Sequence, residues 1–146
     1  MKVQKAIEIK APPKKIWPYL VEPDKVLQWY SPFKKFEYTS RKRSGVGTTL
    51  YTEEQSPGSL MKIHYKATAW KKNEKIALRM VSGTGVKAYK QVWSLKPTAS
   101  GSRFTFMEEV EMPMGIIGKL IGLFAERMSK ATVDKMQLKL KALAEA

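Results

Sequence analysis

Hydrophobic and polar residues alternate with a period of two along most of this chain and with a period near 3.6 at its end. The stretch KVQKAIEI sets Val3, Ile7 and Ile9 on one side, with Lys5 the exception among them, and predicts a first strand. Pro12 and Pro13 end it. Ile16, Trp17, Leu20 and Val21 then recur at helical spacing in a segment opened by Pro13, which suits a first helical turn, and shortened by Pro18. In EPDKVLQWYSP, Asp24 is the expected N-cap, Val26, Leu27 and Tyr30 make the apolar stripe, and Pro32 closes the segment. Two short helices are therefore expected after the first strand.

From Lys34 to Met112 the period returns to two. Further strands are read at KFEYTSR, GTTLYTEE, LMKIHYKATAW, KIALRMVSG, VKAYKQVWSL and SRFTFMEEVEM. The separators SPGS, KKNE, SGTG and KPTASGS have the composition of hairpin turns, and short turns imply an antiparallel meander. After Pro113, Ile117, Ile121, Phe124, Met128, Thr132, Met136, Leu140 and Leu143 are read as one apolar stripe of a long amphipathic helix.

An antiparallel sheet that is apolar on one face needs a cover, and only this helix has the apolar length to supply it. The predicted fold is α+β: a curved antiparallel seven-stranded sheet wrapped on a long C-terminal helix, with two short helices after the first strand. No repeat, linker or low-complexity segment interrupts it, so residues 1–146 read as a single domain. The space left between a curved sheet and its helix is the natural place for a ligand.

Composition narrows the chemistry. Hydrophobic residues are 43% of the chain, enough for a core, and the absence of cysteine removes disulfides and thiol nucleophiles. The N-terminus lacks the continuous apolar run of a secretory signal. The apolar run from Met112 to Met128 is broken by Pro113, Lys119, Glu126 and Arg127, unlike a membrane span. A soluble cytoplasmic protein is expected. The formal net charge is +14, from 27 Lys and Arg against 13 Asp and Glu. Lysines are spread along the chain, which reads as a solvated surface, although an anionic membrane surface is a partner such a charge would attract. The densest clusters, Arg41–Arg43 and Lys71–Lys75, accompany no zinc-finger spacing, RNA-recognition motif or basic helix, so nucleic acid is not expected. His64 is the only histidine and falls on the outer side of its strand, so no zinc site is credible. GVG and SGTG lack the lysine and helix of a phosphate loop, and no cofactor or metal is expected.

One residue breaks the sorting of the last strand. Phe104, Phe106, Val110 and Met112 share a face with Glu108. A carboxylate aimed at the core is desolvated, so its pKa should rise. It serves as a structural group bonded to a tyrosine or a cation, as a polar anchor for a ligand, or, as the weakest reading, as a general acid or base. Tyr65, Met80, Trp93, Phe104 and Phe106 are expected to face the same interior and form an aromatic wall, with Tyr65 as its polar handle. Ile117, Ile121, Phe124 and Met128 are the corresponding positions on the helix. Gly115, Gly118 and Gly122 sit where glycine disfavours a helix, which points either to close packing on the sheet or to space for a ligand. Arg127 is a further candidate partner for Glu108 or for an anionic ligand group.

The segments IEIKAPPKKIWPYLVEPDKVLQWYSPF, GVGTTLYTEE and PTASGSRFTFMEEVEMPMGIIGKLI resemble the START-like, or SRPBCC, superfamily. That superfamily has the helix-grip fold and includes lipid-transfer domains and polyketide cyclases/dehydrases. The first segment resembles its strand followed by Pro, Trp and a second Trp in the helix pair; the last resembles its final strand before an apolar helix. Pro18 departs from the pattern, since such helices usually continue unbroken. The resemblance implies binding or transport of a hydrophobic small molecule, such as a lipid, an isoprenoid or a polyketide-like compound, with no cofactor. The alternatives are a cyclase/dehydrase-like enzyme using the same cavity for proton transfer, and a basic protein that docks on a membrane surface or partner, as monomer or homodimer.

Overall fold

The computed structural model describes residues 1–112 and 118–146, with side chains described outside 113–121. Its elements run β1 (Lys2–Ile9), α1 (Pro13–Ile16), α2 (Pro18–Val21), α3 (Pro23–Trp29), β2 (Phe33–Tyr38), β3 (Thr49–Ser56), β4 (Ser59–Lys71), β5 (Lys75–Gly83), β6 (Ala88–Thr98), β7 (Gly101–Glu111) and α4 (Gly118–Glu145). The strands form one seven-stranded sheet in the order β1-β7-β6-β5-β4-β3-β2, every pairing antiparallel. From β2 to β7 each strand pairs with the next, and β1 returns to pair with β7 from Lys2 opposite Glu109 to Ile9 opposite Ser102. This is the predicted helix-grip arrangement.

Three short helices stand where two are expected. Trp17 keeps helical angles (φ −48°, ψ −44°), but Pro18 has no N–H to continue the ladder, so it takes the first position of a new turn. Pro23 opens α3 in the same way, with Glu22 as its N-cap. Asp24 is not the N-cap; it lies in the first turn, where its charge faces the positive end of the helix dipole.

Bulges curve the sheet. The register shifts between Phe33 and Lys35 in β2, and in β4 between His64 and Tyr65 and again between Ala67 and Ala69. Ala77, opposite Val92, is buried on the outer face between the inward Ile76 and Leu78, so β5 keeps the alternation expected for it. At the β6–β7 hairpin, a Cβ on Gly101 would lie 2.1 Å from the Ile9 carbonyl oxygen and 2.7 Å from the Ala11 nitrogen, so β1 closes here against bare backbone.

The concave face carries the core. Ile16, Leu20, Val26, Trp29 and Tyr30 from the short helices meet Ile63, Tyr65, Leu78, Trp93, Phe104 and Phe106 from the sheet, all buried. Trp29 packs edge-on against Trp93 and Phe104, at 5.4 and 5.7 Å between ring centroids. Its indole N–H donates to the Tyr19 carbonyl (2.7 Å), which satisfies its polar end.

Helix α4 seats on β1 and α3 through its C-terminal half. Val133, Met136, Leu140 and Ala144 are buried. Gln137 Nε2 donates to the Lys5 carbonyl (2.8 Å), Lys141 Nζ to the Glu8 carbonyl (3.1 Å), and Asp134 pairs with Lys5 at 3.3 Å. The earlier half behaves differently from expectation: Phe124 is 65% exposed and Met128 40%. The reason is helical drift. Each step of four residues overshoots a full turn by about 40°, so the steps from Phe124 through Met128, Thr132 and Met136 to Leu140 accumulate about 160°. Phe124 and Leu140 therefore occupy nearly opposite faces of α4. The face continuous with Leu140 carries Gly122, about five full turns earlier. A Cβ there meets nothing within 4 Å among the described residues, so the inward face of α4 stands clear of the sheet at this end. Close packing does not account for Gly122. Among the described residues, no helix is long and apolar enough to cross a membrane.

Candidate functional site

Glu108 is inside, as its strand parity predicts, at 6% exposure. It is not alone. Glu54 on β3 is 5% exposed, and Tyr30, Tyr65 and Tyr89 surround the two carboxyls. Tyr30 donates its hydroxyl to Glu54 Oε1 at 2.7 Å. The Tyr89 oxygen lies 2.5 Å from Glu108 Oε2 and 3.1 Å from Glu54 Oε2. Gln91 organises the other side: Trp93 Nε1 donates to its Oε1 (2.9 Å), and its Nε2 donates to the Tyr65 oxygen (3.2 Å). Four strands, β3, β4, β6 and β7, and the residue that caps α3 thus converge on one buried polar cluster.

Proton counting constrains this cluster. Tyr89 has one hydroxyl proton and two carboxyl neighbours. At the shorter distance it donates to Glu108. The contact with Glu54 is then a hydrogen bond only when Glu54 carries a proton and donates it to the Tyr89 oxygen. The electrostatics agree. Burial, together with the Glu108 charge, pushes Glu54 from 4.5 up to about 7, against the opposing effect of its tyrosine bonds. Glu108 is also raised by burial, with the Tyr89 bond opposing. The hydroxyls of Tyr30, Tyr65 and Tyr89 are all held well above their ordinary range, chiefly by burial, and stay protonated. Near neutral pH the site holds Glu54 close to its midpoint, Glu108 with its carboxyl raised by burial, and three neutral phenols. No Lys or Arg is buried with them among the described residues.

Tyr65, Phe104 and Phe106 are fully buried, and Trp93 is 1% exposed. Trp29 and Tyr30 pack on the rings of Trp93, Phe104 and Phe106, so these side chains serve the core as well as facing inward. Met80 is partly buried opposite Tyr65. It shares with Tyr89 and Val110 the wall of a hollow of about 650 Å³ that also touches Arg79, Lys90 and Glu109. Phe124 and Met128 do not join the interior, and Arg127 is exposed and makes no contact with Glu108. Ile117 and Gly115 lie outside the described residues, as do the side chains of Ile121 and Gly118. His64 is on the outer face, where its ring lies 4.8 Å from Tyr51.

Glu54, the partner of Glu108, escapes the sequence reading. In GTTLYTEE each face carries one clear apolar residue, Leu50 or Tyr51, so alternation does not say which of Glu53 and Glu54 turns inward. The register decides it: Leu50, Thr52 and Glu54 oppose Tyr65, Ile63 and Met61 on the inner face of β4. A second convergence joins two segments far apart in sequence. Arg43 and Lys72, from the two densest basic clusters, line a hollow of about 450 Å³ with Trp17, Val21 and Trp70.

Comparison with curated proteins finds no match. Comparison with solved structures finds the same fold repeatedly. A protein from Thermus thermophilus superposes with a TM-score of 0.82 at 16% identity, covering 99% of this chain and 97% of that one. A START superfamily protein from Mycobacterium smegmatis gives 0.79 at 16% identity, with 99% and 97% covered. The Zhui aromatase/cyclase from a Streptomyces species gives 0.73 at 14% identity, with 99% and 93% covered. At these identities the likeness is one of fold. Residues 1–145 match the family described as polyketide cyclase / dehydrase and lipid transport, and on that whole-chain match, with its seven-stranded sheet gripping a C-terminal helix, this protein belongs to that family.

Proposed function

We propose that this protein binds a hydrophobic small molecule between the concave face of its sheet and the N-terminal half of α4. The observation that carries this reading is the overhang at Gly122. The line of the helix that is buried at Leu140 meets nothing within 4 Å at Gly122 among the described residues, which supports a grip closed at its C-terminal end and open toward Gly122. An aromatic wall with a buried polar cluster behind it is the usual composition of a small-molecule site. Trp93, Phe104 and Phe106 are the packed floor of the grip beneath Trp29 and Tyr30, and Glu54 and Glu108 supply polar groups that fix orientation.

A second reading is proton-transfer chemistry of the cyclase/dehydrase kind. It is favoured by the Tyr89 hydroxyl, which bridges Glu108 and Glu54 and forms a relay with one carboxyl near its midpoint at neutral pH. In that reading Glu108 or Glu54 exchanges a proton with the bound molecule, and Tyr89 passes it to the other carboxyl.

Native mass spectrometry of gently purified protein, followed by solvent extraction, tests the binding reading. A co-purifying hydrophobic molecule is the expected result. Protein that arrives empty, and that also shows no saturable binding of the neutral apolar dye N-phenyl-1-naphthylamine, refutes it.

A further inference from the structure

Two buried carboxyls in a chain of net charge +14 need a reason. Each ionised carboxylate has room for about four hydrogen bonds. Among the described residues, only the hydroxyls of Tyr30 and Tyr89 reach the pair, and Glu108 Oε1 accepts none. The deficit extends along β3. Thr52, one inward position before Glu54, is completely buried, and its hydroxyl, like that of Thr48 just before β3, has no partner among the described residues. Buried polar groups are ordinarily satisfied, so an orphaned hydroxyl beside an under-bonded acid pair marks a place where a polar group of another molecule belongs. What the cluster lacks is donors and positive charge.

Resting on the binding reading above, we propose that the polar end of the ligand is a protonated amine, received by Glu108 and Glu54 with the Thr52 hydroxyl beside them. An ammonium brings three N–H donors and one positive charge, and its arrival lets both carboxyls ionise together. A buried cation is tolerable where it is paired and hydrogen-bonded, as it is here. The apolar body of the ligand then extends toward the Gly122 end of the grip. The outer surface works against this choice, because a strongly basic protein repels amines and attracts acids from a distance. A preference for amines therefore reports the interior and not the surface.

The test uses three probes with one apolar body: octylamine, octan-1-ol and octanoic acid, titrated calorimetrically into the whole protein at pH 8. Octylamine should bind at least about tenfold tighter than octanoic acid, the factor expected from a charge-assisted hydrogen bond. Its affinity should rise between pH 5.5 and 8 as Glu54 gives up its proton, while octan-1-ol binding stays level. The phenols facing the pair, Tyr30 at the end of α3, Tyr65 from β4 and Tyr89 from β6, stay neutral over this range, and Glu108 from β7, also raised by burial, acts on the amine in the same direction as Glu54 when it ionises. In Glu108→Gln the amine preference should fall about tenfold with octan-1-ol binding unchanged, and Glu54→Gln should flatten the pH dependence. The wild-type comparison stands whether or not either variant folds. Equal binding of all three probes, or preference for the acid, overturns the amine inference and leaves the hydrophobic-binding reading intact. Binding of none overturns both.

Discussion

Glu54→Gln separates the electrostatics of the buried cluster from everything else in the protein. In the folded state the Glu54 carboxyl is raised from 4.5 to about 7. Between those values the folded protein holds more protons than the unfolded chain, so stability is greatest at low pH and is lost as pH rises through 7. One pKa unit is about 1.4 kcal/mol, so a shift of this size corresponds to about 3 kcal/mol lost between pH 4.5 and pH 8. Glutamine copies the protonated acid. Its carbonyl accepts from Tyr30, and its amide donates to the Tyr89 oxygen, as the proton-bearing carboxyl does. The variant should exceed wild type by under about 1 kcal/mol at pH 5 and by about 3 kcal/mol at pH 8. Urea unfolding followed by tryptophan fluorescence at pH 5, 6, 7 and 8 measures this, and the difference between variant and wild type cancels the titration of unrelated groups. A difference that is flat across that range, or that favours wild type at pH 8, would show that Glu54 is ionised and compensated in the folded protein, and the proton count around Tyr89 would be wrong.

Two further substitutions probe the frame around the cluster. Trp93→Ala removes a nearly fully buried indole packed on Trp29 and hydrogen-bonded to Gln91, and should cost about 3–5 kcal/mol in urea unfolding; a loss under about 1 kcal/mol would mean that the ring lines open space. Gly122→Ala adds a methyl group where nothing lies within 4 Å and should raise thermal stability by up to about 1 kcal/mol through helix propensity; destabilisation would place an unseen neighbour against that face.

The pattern of apolar positions by itself determined the strands, their order and the long final helix, because each strand buries one face and a period of two leaves little freedom in how it is read. It also placed Glu108 inside, since Phe104, Phe106 and Val110 fix the parity of β7 beyond doubt. Where parity was weak, the chain alone decided less. Leu50 and Tyr51 compete for the inside of β3, and only pairing with β4 turns Thr52 and Glu54 inward. Tyr30 reads as an apolar helix position, yet its hydroxyl is a ligand of Glu54 because α3 lies across the sheet. The helix was harder still. Spacing by fours looks periodic over two turns, but it drifts off the packed face over five, so Phe124 and Met128 leave the stripe that Met136 and Leu140 keep. Sequence fixes what each residue prefers locally. Which two carboxyls meet across one tyrosine hydroxyl is a property of elements meeting in space, and that was decided by the tertiary structure.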